Sequence, residues 1–155
     1  MKLIFLIIVC LAVFYIGYLF SSYYKKKLQI FHDLEQMCDI LENQIRFKKE
    51  VAAKIIADNR YLFSNEFNSL IDTYFFKTSF NELNLYLSEK ELNLIKTFFD
   101  SIGMSDVEGE LNNIKAHSQQ FKMYNSELKT KNEKVGGLGI KLGSLCALLI
   151  FIIFI

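Results

Sequence analysis

Two apolar runs bracket a middle in which apolar and polar positions alternate at helical spacing. Leu3 to Phe20 is 18 residues without a charge, and no charge follows Leu142. As helix, the first run covers ~27 Å, close to the ~30 Å hydrocarbon core of a bilayer. The stretch from Leu142 to Ile155 covers only ~21 Å, but a helix begun at Gly136 covers ~30 Å. Lys141 then falls inside the second segment, where its stem can lie along apolar surface while its ammonium reaches the headgroups. The pattern predicts an all-α protein: an antiparallel bundle of about five to six helices over residues 25–135. A transmembrane helix over residues 1–24 precedes it and another over 136–155 follows it.

In the middle, Leu28 to Asp58 reads as one long helix. Phe31, Leu34, Cys38, Leu41 and Ile45 form a heptad-spaced seam, which widens through Phe47, Val51, Ala52, Ile55 and Ile56. A wide stripe suits packing within a bundle better than a two-stranded coil. Asp58-Asn59 marks its stop. Arg60 to Lys77 is the most aromatic part, with Phe67, Leu70, Ile71 and Tyr74 at helical spacing. Ser79/Glu82, Ser88/Glu91 and Ser105/Glu108 each match the capping box, in which a serine and a glutamate three residues on satisfy free amides of a first turn. They open segments at Phe80–Leu87, Glu89–Ile102 and Asp106 onward, with Gly103 placed to close the second in a left-handed conformation. The last of these segments runs on into Gly136-Gly137.

The absence of Pro supports an all-helical reading. Leu28 to Leu128 holds 16 acidic against 10 basic residues, a net −6, so the middle has no basic footprint for nucleic acid. Lys25, Lys26 and Lys27 follow the first apolar run; Lys129, Lys131 and Lys134 precede the second. Both clusters place the middle of the chain in the cytoplasm, with both termini outside. A cleaved signal peptide is the competing reading of the first run. Its apolar region is ~7–15 residues and ends at small residues, whereas here Tyr15, Ile16, Tyr18, Leu19 and Phe20 continue the run and Tyr23 and Tyr24 suit an interfacial belt.

Cys10, Cys38 and Cys146 have no metal-ligand or redox spacing, and His32 and His117 stand alone. No phosphate-binding loop follows a strand, and no nucleophile–base grouping appears. Glu89/Glu91 and Glu108/Glu110, two apart, point to different helix faces. No enzyme activity, cofactor, metal or small-molecule substrate is expected, and the charges read as a solvated surface. Two candidate contact sites remain. Gly139, Gly143 and Ala147, four apart, form a small-residue stripe that suits close helix approach in a membrane; the plainer alternative is a loosened boundary. The polar run Asn112–Lys122, with Asn112, Lys115, Gln119 and Lys122, is the candidate docking surface.

Three stretches carry a resemblance. The first is Leu34…Leu41-Glu42-Asn43-Gln44-Ile45, followed by aromatic Phe47. The second is Phe98-Phe99-Asp100-Ser101-Ile102-Gly103-Met104-Ser105-Asp106-Val107-Glu108-Gly109-Glu110…Ile114. The third is Asn132-Glu133-Lys134…Leu138-Gly139…Leu142-Gly143-Ser144-Leu145. Together they resemble the stage III sporulation protein AB family, although Gln44 and Glu110 stand where the family tends to carry Glu and Gln. The resemblance implies a membrane component of the complex between mother cell and forespore. Its body is similar to the six-helix cytoplasmic domains of type II secretion and type IV pilus platform proteins. The implied partners are other stage III sporulation proteins, above all the secretion-type ATPase, stage III sporulation protein AA, on the mother-cell cytoplasmic side.

The leading expectation is therefore a non-catalytic platform in the cell membrane with two spans. The alternative is a generic membrane-tethered coiled-coil protein, such as a division or tethering factor, dimerising through the Phe31–Ile45 seam. A bilayer-permeabilising protein would need polar residues on a transmembrane face, and neither end has them.

Overall fold

The computed structural model describes the backbone of residues 2–48, 51–77 and 87–154; in residues 2–21 and 134–154 only some side chains are described. Five α-helices occur among the described residues, and no strand: α1 (Lys2–Lys48), α2 (Ala52–Asp58), α3 (Asn65–Leu70), α4 (Glu89–Ser101) and α5 (Val107–Phe154). A 3-10 turn (Arg60–Leu62) precedes α3 and a π turn (Ile71–Phe75) follows it. Among the described residues no helix is long and apolar enough to cross a membrane. The run Leu3–Phe20 lies within α1, with five of its side chains described. The chain divides into two compact units, residues 26–126, here called the body, and residues 1–25 with 127–155.

Within the body, α1 and α5 pack antiparallel. Phe31 stacks on Tyr124 with ring centroids 5.4 Å apart; further along α1, Glu35 accepts from Asn125 Nδ2 at 2.7 Å. Further still, Glu42 lies 3.7 Å from Lys115 Nζ. From Phe31 with Tyr124 to Glu42 with Lys115, advancing eleven residues on α1 thus means retreating nine on α5. The seam Phe31, Leu34, Cys38, Leu41 and Ile45 is buried throughout, and Phe31 meets Phe121 and Tyr124 of the same chain. Phe98 links α4 to this core by an edge-on contact with Phe121 at 5.2 Å. Phe99 links α4 to Phe67 of α3 and to Phe75 of the π turn.

The expected single helix Leu28–Asp58 is in fact broken. Val51 is extended (φ −69°, ψ 133°) and serves as N-cap of α2. The apolar seam runs out at Lys48-Lys49-Glu50, three consecutive charges. The break gives Ala52, Ile55 and Ile56 a separate buried face. Phe47 and Val51, expected in the widened stripe, are instead exposed. Asn59 closes α2 as expected, its backbone and side-chain amides both donating to Ile55 O.

The α4–α5 turn explains the motif Gly103-Met104-Ser105-Asp106-Val107-Glu108-Gly109. Gly103 has φ +80°, a region that favours glycine. Asp106, not Ser105, caps α5: its Oδ1 accepts from Gly109 N at 3.0 Å. A Cβ at Gly109 would stand 2.8 Å from that same oxygen, so a glycine there permits the cap. Buried Glu110 then reaches back, both its oxygens 3.0 Å from Gly103 N. The Ser105/Glu108 box is therefore replaced by an aspartate cap and a returning glutamate. Ser79/Glu82 and most of the segment Phe80–Leu87 lie outside the described residues; Leu87 is buried.

Candidate interaction surface

The helices of the body are positioned by carboxylates of low exposure. Asp33 sits between Ile30 and Leu34 on the inward face of α1 and is 1% exposed. It accepts from Gln29 Nε2 at 2.8 Å and from Ser64 N and Oγ at 3.0 and 2.5 Å. Ser64 Oγ in turn accepts from Phe67 N, which caps α3. Asp33 thus ties α1 to the start of α3. Glu91 does the same for α4: the amide and hydroxyl of Ser88 donate to its Oε2, each at 2.7 Å, forming the expected capping box. Lys27 Nζ lies 2.7 Å from that oxygen. Burial pushes the Glu91 carboxyl up, but the Lys27 and Ser88 bonds outweigh it and hold it below its usual value. Glu66, on α3, is also lowered, by its own backbone N–H and by Lys26 at 3.1 Å.

These pairs add to one expectation and correct another. Lys26 and Lys27, read as setting the orientation of the chain, also engage Glu66 and Glu91 of the body. Asp33, Glu91 and Glu110, read with the rest as solvated, are buried. Partners convert a costly buried carboxylate into a tie between elements.

Two titratable groups, buried Cys38 and half-buried His117, complete the interior. Cys38 is buried on α1, and burial pushes its thiol far up, away from the reactive thiolate. His117 rings contact Phe98 and Phe121; burial lowers its imidazole pKa, and its Nδ1 has no hydrogen-bond partner. Both belong to the core. Among the described residues no group of three or more His, Cys, Asp or Glu could hold a metal ion.

The outer surface separates into two kinds. On α5 the inward positions Glu110, Ile114, Ser118, Phe121 and Asn125 follow one another at intervals of three and four. Asn112, Lys115, Gln119 and Lys122 keep the same rhythm along the flank of that inward face and are all exposed. The structure therefore brings the four candidate docking residues into one stripe, with Lys115 leaning toward Glu42. The second kind is apolar and was not foreseen: Phe47, Val51 and Met104 are 78%, 73% and 80% exposed. Gly139, Gly143 and Ala147 lie within the helical backbone of α5, but their side-chain surroundings fall outside the described residues.

The two ends of the chain and the body between them are matched as one piece by a single family model, that of stage III sporulation protein AB, over residues 2–155. The chain belongs to this family. A stage III sporulation role, alongside other stage III sporulation proteins, follows from that membership. No curated protein and no solved structure matches the chain. One of the stretches that carry the resemblance, Gly103 to Glu110, is the α4–α5 turn, and its polar contacts described above serve to close that turn. These residues therefore build the body.

Proposed function

We propose that this chain is a non-catalytic membrane platform of the sporulation-specific, secretion-like complex between mother cell and forespore. Residues 1–24 and 136–155 span the membrane. The body faces the mother-cell cytoplasm and both termini lie outside. There the body docks the secretion-type ATPase, stage III sporulation protein AA, and companion membrane proteins gather around the spans. The observation that carries this reading is the family match over residues 2–155, which takes in both apolar ends as well as the body. The uncharged run Leu3–Phe20 and the apolar stretch from Leu142 support the spans. The stripe Asn112, Lys115, Gln119 and Lys122 supplies a polar contact for the ATPase, and Gly139, Gly143 and Ala147 a close-packing face for a companion span.

The test is an affinity pull-down of the full-length tagged protein from sporulating cells. Recovery of a secretion-type ATPase or of companion stage III membrane proteins is expected, and recovery of neither sinks the proposal. Replacing Gly143 with Leu should leave membrane insertion intact and weaken assembly; unchanged assembly removes the small-residue stripe from the proposal. The tether alternative has less to stand on, because Phe31 of its dimer seam is stacked on Tyr124 of the same chain.

A further inference from the structure

Every described side chain in the two apolar ends is exposed. On α1 these are Ile8, Ala12, Tyr15, Tyr18 and Leu19, and intervals of three and four put them on one stripe. On α5 they are Lys141, Ser144, Leu145 and Leu148, again one stripe. Both being exposed, neither covers the other within one chain. Two of these residues are out of place against lipid. Tyr15 and Tyr18 lie ten and seven residues before Lys25, about 15 and 10 Å along the helix. Helical side chains lean toward the N-terminus, so both hydroxyls are directed away from the lysine-marked interface and its water. Neither has a hydrogen-bond partner among the described residues. A hydroxyl without an acceptor in hydrocarbon is costly.

The missing acceptor stands on the other helix. Ser144 donates its hydroxyl proton to Lys141 O at 2.9 Å, which leaves the lone pairs of its Oγ free. Lys141, the other polar group of that stripe, only donates. Ser144 lies ten residues past Lys134, the depth of Tyr15. Tyr18, three residues nearer Lys25, leans back to the same level. We infer that neighbouring copies of this chain pack in the membrane through these two stripes, α1 of one copy against α5 of the next, with Tyr15 and Tyr18 donating to Ser144 Oγ. The two helices cross the membrane in opposite directions, so the contact joins copies of one orientation. Ala12 and Leu148, 13 residues before Lys25 and 14 past Lys134, are then level, a small residue facing a large one. The contact is head-to-tail, so it closes a ring or extends a row rather than stopping at a symmetric pair. It rests on the reading that both ends span the membrane. Gly139, Gly143 and Ala147, at other positions around α5, are left to a companion span.

Two full-length copies with different tags are co-expressed in a Cys10→Ala/Cys146→Ala background, which leaves only buried Cys38. One copy carries Tyr18→Cys and the other Ser144→Cys. Oxidation in the membrane should join the two by a disulfide and should not join Tyr18→Cys copies to each other. With native cysteines, recovery of one tagged copy on the other should fall about threefold for Tyr15→Phe/Tyr18→Phe or for Ser144→Ala, and no further when the two changes are combined, because both remove the same hydrogen bonds. Resistance to alkaline carbonate extraction checks that each variant is inserted. Disulfides only between Tyr18→Cys copies, no disulfide at all, or unchanged recovery by inserted Tyr15→Phe/Tyr18→Phe overturns the inference and leaves the span reading standing. If carbonate strips the wild type from the membrane, the span reading falls and this contact falls with it.

Discussion

Removing the Glu91 carboxylate should loosen the body more than any exposed charge on α4 would. The side chains of Glu91 and Lys27 are 8% and 13% exposed, so solvent screens their 2.7 Å contact little. Glu91→Ala deletes two things at once. The first is the capping-box carboxylate on Ser88, a loss of about 1 kcal/mol. The second is the partner of a nearly buried ammonium, for which breaking a buried pair costs about 3–5 kcal/mol. The Lys27 stem can swing its ammonium outward and recover part of this, so the net loss should be about 3 kcal/mol. For a body of this size that lowers the melting temperature by roughly 10–20 °C. Glu91→Gln keeps an acceptor for Ser88 and should cost about half as much. Adding Lys27→Met to Glu91→Gln should restore about 1 kcal/mol, because no charge is then left without a partner. The assay is urea unfolding of the full-length protein in micelles, with hydrogen exchange of the α4 amides to place the change. If Glu91→Ala falls within about 0.5 kcal/mol of wild type, the pair behaves as a surface ion pair and the reasoning fails.

Phe121→Ala removes contacts with Phe31, Phe98 and His117 and should cost about 3–5 kcal/mol in the same urea assay. Gly103→Ala should cost about 1 kcal/mol from backbone strain alone, since φ is +80° and an added Cβ meets nothing within 4 Å. Gly109→Ala should cost about 1–2 kcal/mol by a different route, the loss of the Asp106 cap, and Asp106→Ala should leave little further for it to remove. Burial lowers the His117 pKa, so between its folded value and its ordinary one the unfolded chain holds a proton that the fold does not. Stability is therefore complete above the ordinary histidine value and falls as pH drops below it; His117→Phe should flatten that slope in urea midpoints measured from pH 7.5 to 5. Glu91 acts in the same direction at lower pH, where protonation removes its charged contacts.

Much of the body was legible because its signals are local. The seam from Phe31 to Ile45 announced its burial by spacing, Ser88/Glu91 its helix start, and Gly103 its helix end. The break before Val51 carried no Gly or Pro to mark it; only the three charges in a row hinted that the seam stopped there. Ser105 was read as the cap because it completes a serine–glutamate pair, whereas Asp106 won by accepting from Gly109, a residue with no Cβ to obstruct it. Asp33 could have been suspected, since it falls between Ile30, Leu34 and Met37 on the inward face. Its partner Ser64 lies 31 residues away and belongs to tertiary structure alone. The stripe Asn112, Lys115, Gln119 and Lys122 was legible as a helix face. The exposed group at Phe47 and Met104 was not, because apolar residues at helical spacing are ordinarily core.

The body is polarised in what holds it. Near Lys26 and Ser126, polar side chains join elements: Lys26 to Glu66, Lys27 to Glu91, Asp33 to Ser64, Glu35 to Asn125. Such bonds are directional, so they fix the starts of α3 and α4 against α1 and oppose sliding of α1 along α5, which a purely apolar seam resists less. Away from that end the polar contacts of Asp106 and Glu110 are spent on closing the α4–α5 turn. A protein selected only for stability would keep such charged groups exposed, where ion pairs cost least. Rigid polar ties near the places where the chain enters and leaves give the body a fixed arrangement of its helices. An enzyme would instead need its titratable groups to converge on a substrate. Here the carboxylates of Asp33, Glu91 and Glu110 bind the chain's own amides, hydroxyls and ammonium, which leaves them occupied with architecture.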